Sequence, residues 1–313
     1  MSTAHEATAV VLTALPVEYQ AIRTHLVDLQ EVKHPFGTIY ERGIFVVEKQ
    51  RWDIAIACTM AGNTTAAIEA ERALAYFHPR YVLFVGVAGG LKDVHVGDIV
   101  VADRVYGYEA GKADRTFLPR PSVNLSTYPL VQRATMERMK QDWYLRLQLP
   151  RQETIPHVFV APIAAGEKVL SSTRSAVWKF LRANYSNVLA IEMEGYGFLH
   201  AAYANHHVEA LVVRGISDLV DGKSEADAAH SQELASAHAS AFAFEVLAKQ
   251  LVGEKQEKQT SSEVAHVPAE QKKKSESRPT ERQSGKYNTH VAGNVRNLIQ
   301  GDNPQVHISD RDE

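Results

Sequence analysis

The chain has 313 residues, 45% hydrophobic and 23% charged, with a formal net charge of −3. This is ordinary globular composition; it provides no overall basic field to attract nucleic acid and no run of about 18 apolar residues to cross a membrane. The start, MSTAHEATAVVLTAL, lacks a basic stretch before its apolar run, which argues against a secretory signal. Cys58 is the only cysteine, so an internal disulfide and a cysteine zinc cluster are both ruled out. The expectation is a cytoplasmic protein with one large α/β domain or two small ones, and with no metal or organic cofactor, since no ligand cluster is visible.

Apolar runs alternate with helical patterns along the first four-fifths of the chain. Residues 8–15 (TAVVLTAL) read as a buried strand and 17–26 as a helix with Glu18 in its first turn. Strands are expected at 44–48 and 52–59, then an Ala/Glu/Arg-rich helix at 64–77. The continuous apolar run 81–87 suits a strand covered on both faces. Further strands are expected at 97–102, 158–162, 188–191 and 210–216, with helices at 194–205 and 231–251. Interleaved strands and helices predict an α/β protein, a three-layer αβα arrangement around a central twisted mixed sheet.

The composition changes near Gly253. Residues 253–289 are rich in Gln, Lys, Ser and Glu and poor in apolar residues, so burial cannot offset the entropy of ordering them. From Gly253 onward ten Lys or Arg balance ten Asp or Glu, which favours a solvated linker over a nucleic-acid or membrane contact at Lys272–Lys274. The last segment contains HVAGNVRNLIQGDNPQVHIS, two short apolar stretches around a Gly-Asp-Asn-Pro turn. It is too small to fold alone but could stack on copies of itself through Asn and Gln ladders, although Pro304 would interrupt a strand. The expected organisation is therefore a folded domain at 1–252, a flexible linker at 253–289 and a tail at 290–313.

Four local motifs carry candidate chemistry. In LTALPVE (12–18) the first strand turns into a helix and exposes Glu18; an acid there is also a common helix-dipole device. In VGVAGGL (85–91) a strand is expected to end at Gly86 in a Gly-rich turn whose backbone, at Ala88 and Gly89, can approach a ligand. In AIEMEG (190–195) Glu192 and Glu194 flank Met193 at a strand–helix join, and both acids project to one side if strand geometry persists. In VRGISD (213–218) an apolar strand runs into Ser217 and Asp218, which could equally form a helix cap or an Asx turn. All four are expected at the carboxyl ends of strands, where open α/β sheets bind ligands.

With these runs in view, residues 8–252 resemble the nucleoside phosphorylase superfamily, most closely its methylthioadenosine/S-adenosylhomocysteine nucleosidases. ALPVE, GVAGGL, VGDIVVAD (96–103), IEMEG and RGISD carry the likeness. It implies hydrolysis of the N-glycosidic bond of an adenine nucleoside or nucleotide, of the methylthioadenosine/adenosylhomocysteine or the AMP/ATP type. Such cleavage builds positive charge on the ribose and needs an acid for the leaving base, a carboxylate near the sugar and an activated water. The resemblance implies that Glu18 activates the water, Glu194 clasps the ribose hydroxyls, Met193 packs on the ribose, Asp218 protonates N7, Ser217 orients Asp218, and Ala88 and Gly89 line the base pocket. It also implies a homodimer.

Departures from the family pattern bear on the substrate. In the stretch 165–169 (AGEKV), Lys168 stands where an aromatic ring is expected, and Lys168 and Val169 become candidate substrate contacts. Val87 replaces the hydroxyl residue of the family's glycine turn. The loop YGYEAGKADRTFLPRP (106–121) is basic, and Lys112, Arg115, Arg120 and Lys168 could hold a phosphorylated 5′ end. A phosphorylase would need arginines around a phosphate; Arg23 and Arg51 sit in no clear phosphate motif, and Glu18 would repel the anion. The alternatives are that phosphorylase and a catalytically silent nucleoside-binding sensor or adaptor acting through its tail. The tail is similar to bacterial amyloid signalling motifs, which implies self-association, a signalling-receptor partner and a role as an effector in antiviral defence.

Overall fold

The structure is a computed structural model that describes residues 8–48, 50–147, 155–220 and 225–250. The expected linker and tail lie outside the described residues. Strand β1 (Ala9–Thr13) is buried at every position, as a strand covered on both faces must be. Pro16 opens helix α1 (Pro16–Arg23), at a position where its missing N–H costs nothing. The chain continues through β2 (Val27–Lys33), β3 (Ile39–Val47) and β4 (Gln50–Cys58), then α2 (Asn63–Phe77), β5 (Tyr81–Gly90) and β6 (Ile99–Gly107). A small hairpin, β7 (Gly111–Ala113) and β8 (Phe117–Pro119), precedes β9 (Ser122–Leu125), α3 (Tyr128–Lys140) and a 3₁₀ turn at Asp142–Arg146. Then follow β10 (Val158–Ala165), α4 (Ala176–Asn184), β11 (Ala190–Glu192), α5 (Gly195–Ala204), β12 (Glu209–Leu219) and α6 (Glu225–Ala248).

One mixed sheet runs in the order β11-β10-β6-β12-β5-β1-β4-β3-β2, with β9 added beside β6. It also closes on itself, because β11 pairs antiparallel with the end of β5 through Ala190–Gly90 and Ile191–Gly89. Strands β5, β12, β6, β10 and β11 thus form a closed ring, from which β1, β4, β3 and β2 extend as an arm. Helices α2 and α5 cover one face, with Ala66, Ala70, Phe77, Phe198 and Leu199 in the core. Helices α1, α3 and α6 cover the other, with Ile22, Leu130, Ala134, Phe242 and Leu247. This is the expected three-layer architecture.

Several elements escaped the pattern reading. Strand β2 (VDLQEVK) is an edge strand with no fully buried residue, so it lacks the apolar alternation of a core strand. Helix α4 announces itself mainly by its cap, where Ser175 Oγ accepts from Trp178 N at 3.1 Å. Two expected boundaries require correction. The Gly-rich run after Gly86 is not a turn: β5 continues to Gly90, because β12 pairs with it throughout. Ser217 and Asp218 likewise lie within β12, with a register shift between Ile216 and Asp218, so the strand runs past the expected end at Ile216.

Gly215 shows how tightly the second layer sits. A Cβ there would collide with the carbonyl oxygen of Ala235 on α6, which is backbone and cannot swing aside. Gly215→Ala should therefore destabilise the domain by about 3 kcal/mol or more, measured by urea unfolding. A change under about 0.5 kcal/mol would show that β12 and α6 can separate freely.

Candidate active site

The site begins at a break in strand pairing. On one edge β5 pairs with β1 as far as Phe84 and with β11 from Gly89, while β12 occupies the other edge. Val87 falls in the gap, and its N–H must find another partner. That partner is Glu18 Oε1, at 2.8 Å. The other oxygen, Oε2, turns back to accept from Ala14 N at 2.8 Å and Leu15 N at 2.9 Å. Glu18 therefore does serve its own helix start, and it also bridges to β5 from a buried position.

Arg214 is the residue that motif reading passed over. It lies within the apolar run of β12, opposite Gly86 of β5, and is wholly buried. Its guanidinium stands 4.8 Å from the centroid of the Phe84 ring. Nη2 donates to Glu192 Oε2 and to Glu194 Oε2 at 3.1 Å. Gly86 makes this possible, since a Cβ there would collide with both the Glu18 carboxylate and the Arg214 guanidinium. The detectable signal was a lone arginine inside LVVRGIS, because a charge within a buried strand has to be paired.

The two acids of IEMEG do converge, but on Arg214 and by different routes. Glu192 ends β11 and accepts from Glu194 N at 3.0 Å and Gly195 N at 2.7 Å, fixing the start of α5. Glu194 is the residue before α5, and its Oε1 accepts from Gly62 N at 3.1 Å. Ser217 Oγ donates to Asp218 Oδ1 at 2.8 Å, and Asp218 Oδ2 is turned toward Gly89. One cavity is lined by Glu18, Ala88, Gly89, Lys168, Val169, Met193, Glu194, Ser217 and Asp218, so the structure brings together every expected site residue. Val87, Leu170, Glu192 and Gln232 line it as well.

The basic loop is a correction. Lys112, Arg115 and Arg120 do not line the cavity; Lys112 pairs with Asp114 at 3.0 Å in the β7–β8 hairpin. Lys168 borders the cavity, but its Nζ is held by Glu109 and its side chain is 64% exposed. Arg23 is bound to Glu41, and neither it nor Arg51 reaches the cavity.

Burial pushes the Glu18 carboxyl above the usual carboxylate range, while the Arg214 charge and the amides of Val87, Leu15 and Ala14 pull it back only in part. Burial also raises Glu192, against the pull of Arg214 and with a further push from Glu194. For Arg214 burial opposes the charge, but Glu192, Glu194 and Glu18 outweigh it and hold the guanidinium ionised. Outside the cavity, Glu137, Asp142 and Glu245 come close enough to share a cation. Arg133 and Lys140 already pair with Glu137, and Arg146 and Lys249 with Glu245, so the group is an ion-pair cluster.

Residues 8–252 match the family model described as Phosphorylase superfamily. The chain belongs to that superfamily. Among relatives, this superfamily member is 29% identical over 250 residues to the ATP nucleosidase Cap17 of Escherichia coli (strain KTE188), over 72% of this chain and 48% of that protein. It therefore spans about half the length of that relative. It is 27% identical over 248 residues to the 5′-methylthioadenosine/S-adenosylhomocysteine nucleosidase of Haemophilus influenzae (strain PittEE), over 76% of this chain and 97% of that one. Its fold is shared with the 5′-methylthioadenosine/S-adenosylhomocysteine nucleosidase of Neisseria meningitidis solved with methylthio-immucillin-A, at a TM-score of 0.65 and 19% identity, over 78% of this chain and 100% of that one.

Removing one member of the buried charge cluster tests these electrostatics. Arg214→Met should cost about 3–5 kcal/mol of stability at neutral pH. Acids whose folded pKa is raised favour the folded state when protonated and oppose it once ionised. The loss should thus be larger near pH 8 than near pH 5, as read by urea unfolding at both. An equal loss at the two pH values would mean that Glu18 and Glu192 do not titrate around Arg214.

Proposed function

We propose that this chain is a purine nucleosidase, an enzyme that hydrolyses the N-glycosidic bond of an adenine nucleoside or nucleotide. The observation that carries the reading is the gathering of Glu18, Glu194 and Asp218 in one cavity, beside a buried arginine that Glu18, Glu192 and Glu194 outnumber. Such a site favours a sugar that turns positive as its bond to the base breaks. Glu194 accepts from the ribose hydroxyls, and Met193 packs on the ring. Glu18 takes a proton from a water whose oxygen bonds to the anomeric carbon. Asp218, oriented by Ser217, gives a proton to N7 of the departing purine, which lies against Ala88 and Gly89. Lys168 and Val169 border the same space.

Phosphorolysis is disfavoured because Arg214 is committed to Glu192 and Glu194, which leaves a phosphate dianion facing Glu18. A silent sensor would have no use for all three acids together with their buried supports. The relatives include enzymes named for methylthioadenosine and for ATP. Among the described residues lining the cavity Lys168 is the one cation, so a 5′-phosphate would compete with Glu109 for it. The deciding experiment incubates the full chain with methylthioadenosine, adenosylhomocysteine, AMP and ATP, with and without phosphate, and quantifies free base. Release without phosphate is expected, and release only with phosphate would overturn the reading. Glu18→Gln should abolish turnover and Asp218→Asn should lower it about 10²–10⁴-fold. In the wild type, activity should fall as pH drops through a Glu18 pKa that lies above the ordinary carboxylate value.

The same reading makes the enzyme a cytoplasmic homodimer, supported by the exposed Val123, Leu125 and Tyr203 that line one groove. It assigns residues 253–289 to a linker and 290–313 to a self-associating motif through which a signalling partner engages a defence effector. Light scattering on a chain ending at 252 should give twice the monomer mass, and a peptide of residues 288–310 should form fibres with a cross-β spacing of about 4.7 Å. A monomeric domain would remove the first assignment, and a peptide that stays unstructured would remove the second.

A further inference from the structure

The cavity is bordered on one side by the segment 166–170 between β10 and α4, which contributes Lys168, Val169 and Leu170. Its ends are fixed, Gly166 by an N–H donated to Glu192 O at 3.1 Å and Leu170 by burial in an apolar cluster, but Glu167, Lys168 and Val169 between them are exposed, so packing does not hold the middle in place. Its polar ties are specific. Glu109, beyond the end of β6, accepts from Glu167 N at 3.1 Å and from Lys168 Nζ. The other tie runs to Asn63, the first residue of α2. Asn63 Nδ2 donates to Glu167 Oε1 at 3.0 Å and reaches Gly166 O at 3.4 Å, while Asn63 N donates to the same Glu167 oxygen at 3.2 Å.

Asn63 also faces the sugar side. Its Oδ1 accepts from Gly197 N at 2.9 Å, in the first turn of α5. Its neighbour Gly62 donates to Glu194 at 3.1 Å, with a φ of +112° that favours glycine. A Cβ on Gly197 would collide with the Asn63 backbone, so the two helix starts are in close contact. One side chain thus joins the start of α2, the start of α5 next to Glu194, and the segment that borders the cavity.

We propose that Asn63 is a positioning residue for this site: its amide latches the 166–170 segment, through Glu167, to the helix terminus that holds Glu194. The latch sets the spacing between the base-side wall and the ribose carboxylate. It rests on the reading of the cavity as a purine nucleoside site, and nothing in that reading assigns Asn63 or Glu167 a role.

The polarity of the latch can be tested on the full chain. In Asn63→Asp the carboxylate still accepts from Gly197 N but can no longer donate, and it faces Glu167. In Glu167→Ala the latch opens at an exposed residue, where folding is not at risk. Both variants should weaken the binding of adenine, measured by calorimetry, and raise KM for the cleaved nucleoside about tenfold, with kcat changed less. Both should speed hydrogen exchange of the amides of 166–170. Glu167→Gln keeps an oxygen that accepts from Asn63 Nδ2 and Asn63 N, so both readouts should stay within about threefold of wild type. Wild-type adenine binding and exchange in Asn63→Asp and Glu167→Ala would overturn the latch, and so would a Glu167→Gln variant as impaired as Glu167→Ala. If the wild type releases no base from any nucleoside, the proposed activity fails, and exchange in the same three variants still decides the latch.

Discussion

The site depends on one buried charge. Arg214 sits at full burial inside the sheet, where an unpaired guanidinium would be prohibitively costly. Its presence compels a carboxylate environment: Glu192 and Glu194 arrive from the β11–α5 join, and Glu18 from the start of α1. Each carboxylate then brings its own backbone donors. Glu192 takes the first amides of α5, Glu194 takes Gly62 N, and Glu18 takes Val87 N and the two amides before α1. Four segments distant in sequence are thereby fixed around one guanidinium, and their relative positions define the cavity.

Topology explains why the cavity opens here. Along one edge β5 leaves β1 after Phe84 and meets β11 only at Gly89, and a strand with an unoccupied edge exposes backbone that must be satisfied. The crevice is the closed-ring counterpart of the switch point of an open α/β sheet, where neighbouring strands diverge. Glu18 closes the gap electrically without filling it. Gly86, facing Arg214 across the β5–β12 pairing, leaves the volume that both charged groups occupy.

What the sequence made legible follows from range. Glu18, Glu194, Ser217 and Asp218 sit in short runs where an acid or hydroxyl ends an apolar stretch, and local pattern suffices to pick them out. Strands β1 and β5 and helix α2 are visible because their burial is continuous or strongly periodic. Arg214 and Asn63 were not picked out, since their partners lie between 20 and 134 positions away and no local pattern encodes those contacts. The extension of β5 through GVAGG was hidden for a related reason: glycine reads as a turn, and only pairing with β12 keeps the strand going. Strand β2 and hairpin β7–β8 are exposed and so carry no burial period. Among the basic residues, charge alone suggested a phosphate site, whereas the partners Glu109 and Asp114 are seen only in three dimensions.

The arrangement is poor for stability, and that bears on its use. Replacing a buried ion cluster by apolar side chains of similar volume is often neutral or stabilising, and here three acids face a single base. Burial raises the pKa of Glu18 and of Glu192, so each opposes folding once ionised. A neutral nucleoside gains little from such surplus negative charge. A ribosyl cation formed as the glycosidic bond breaks gains a great deal, and the low-polarity surroundings that make the cluster costly also strengthen that gain. Selectivity for the transition state over the ground state is what accelerates a reaction. On the proposed reading, the electrostatic cost is carried in the resting protein by Arg214 and six backbone N–H donors, and is recovered at the moment the sugar becomes positive.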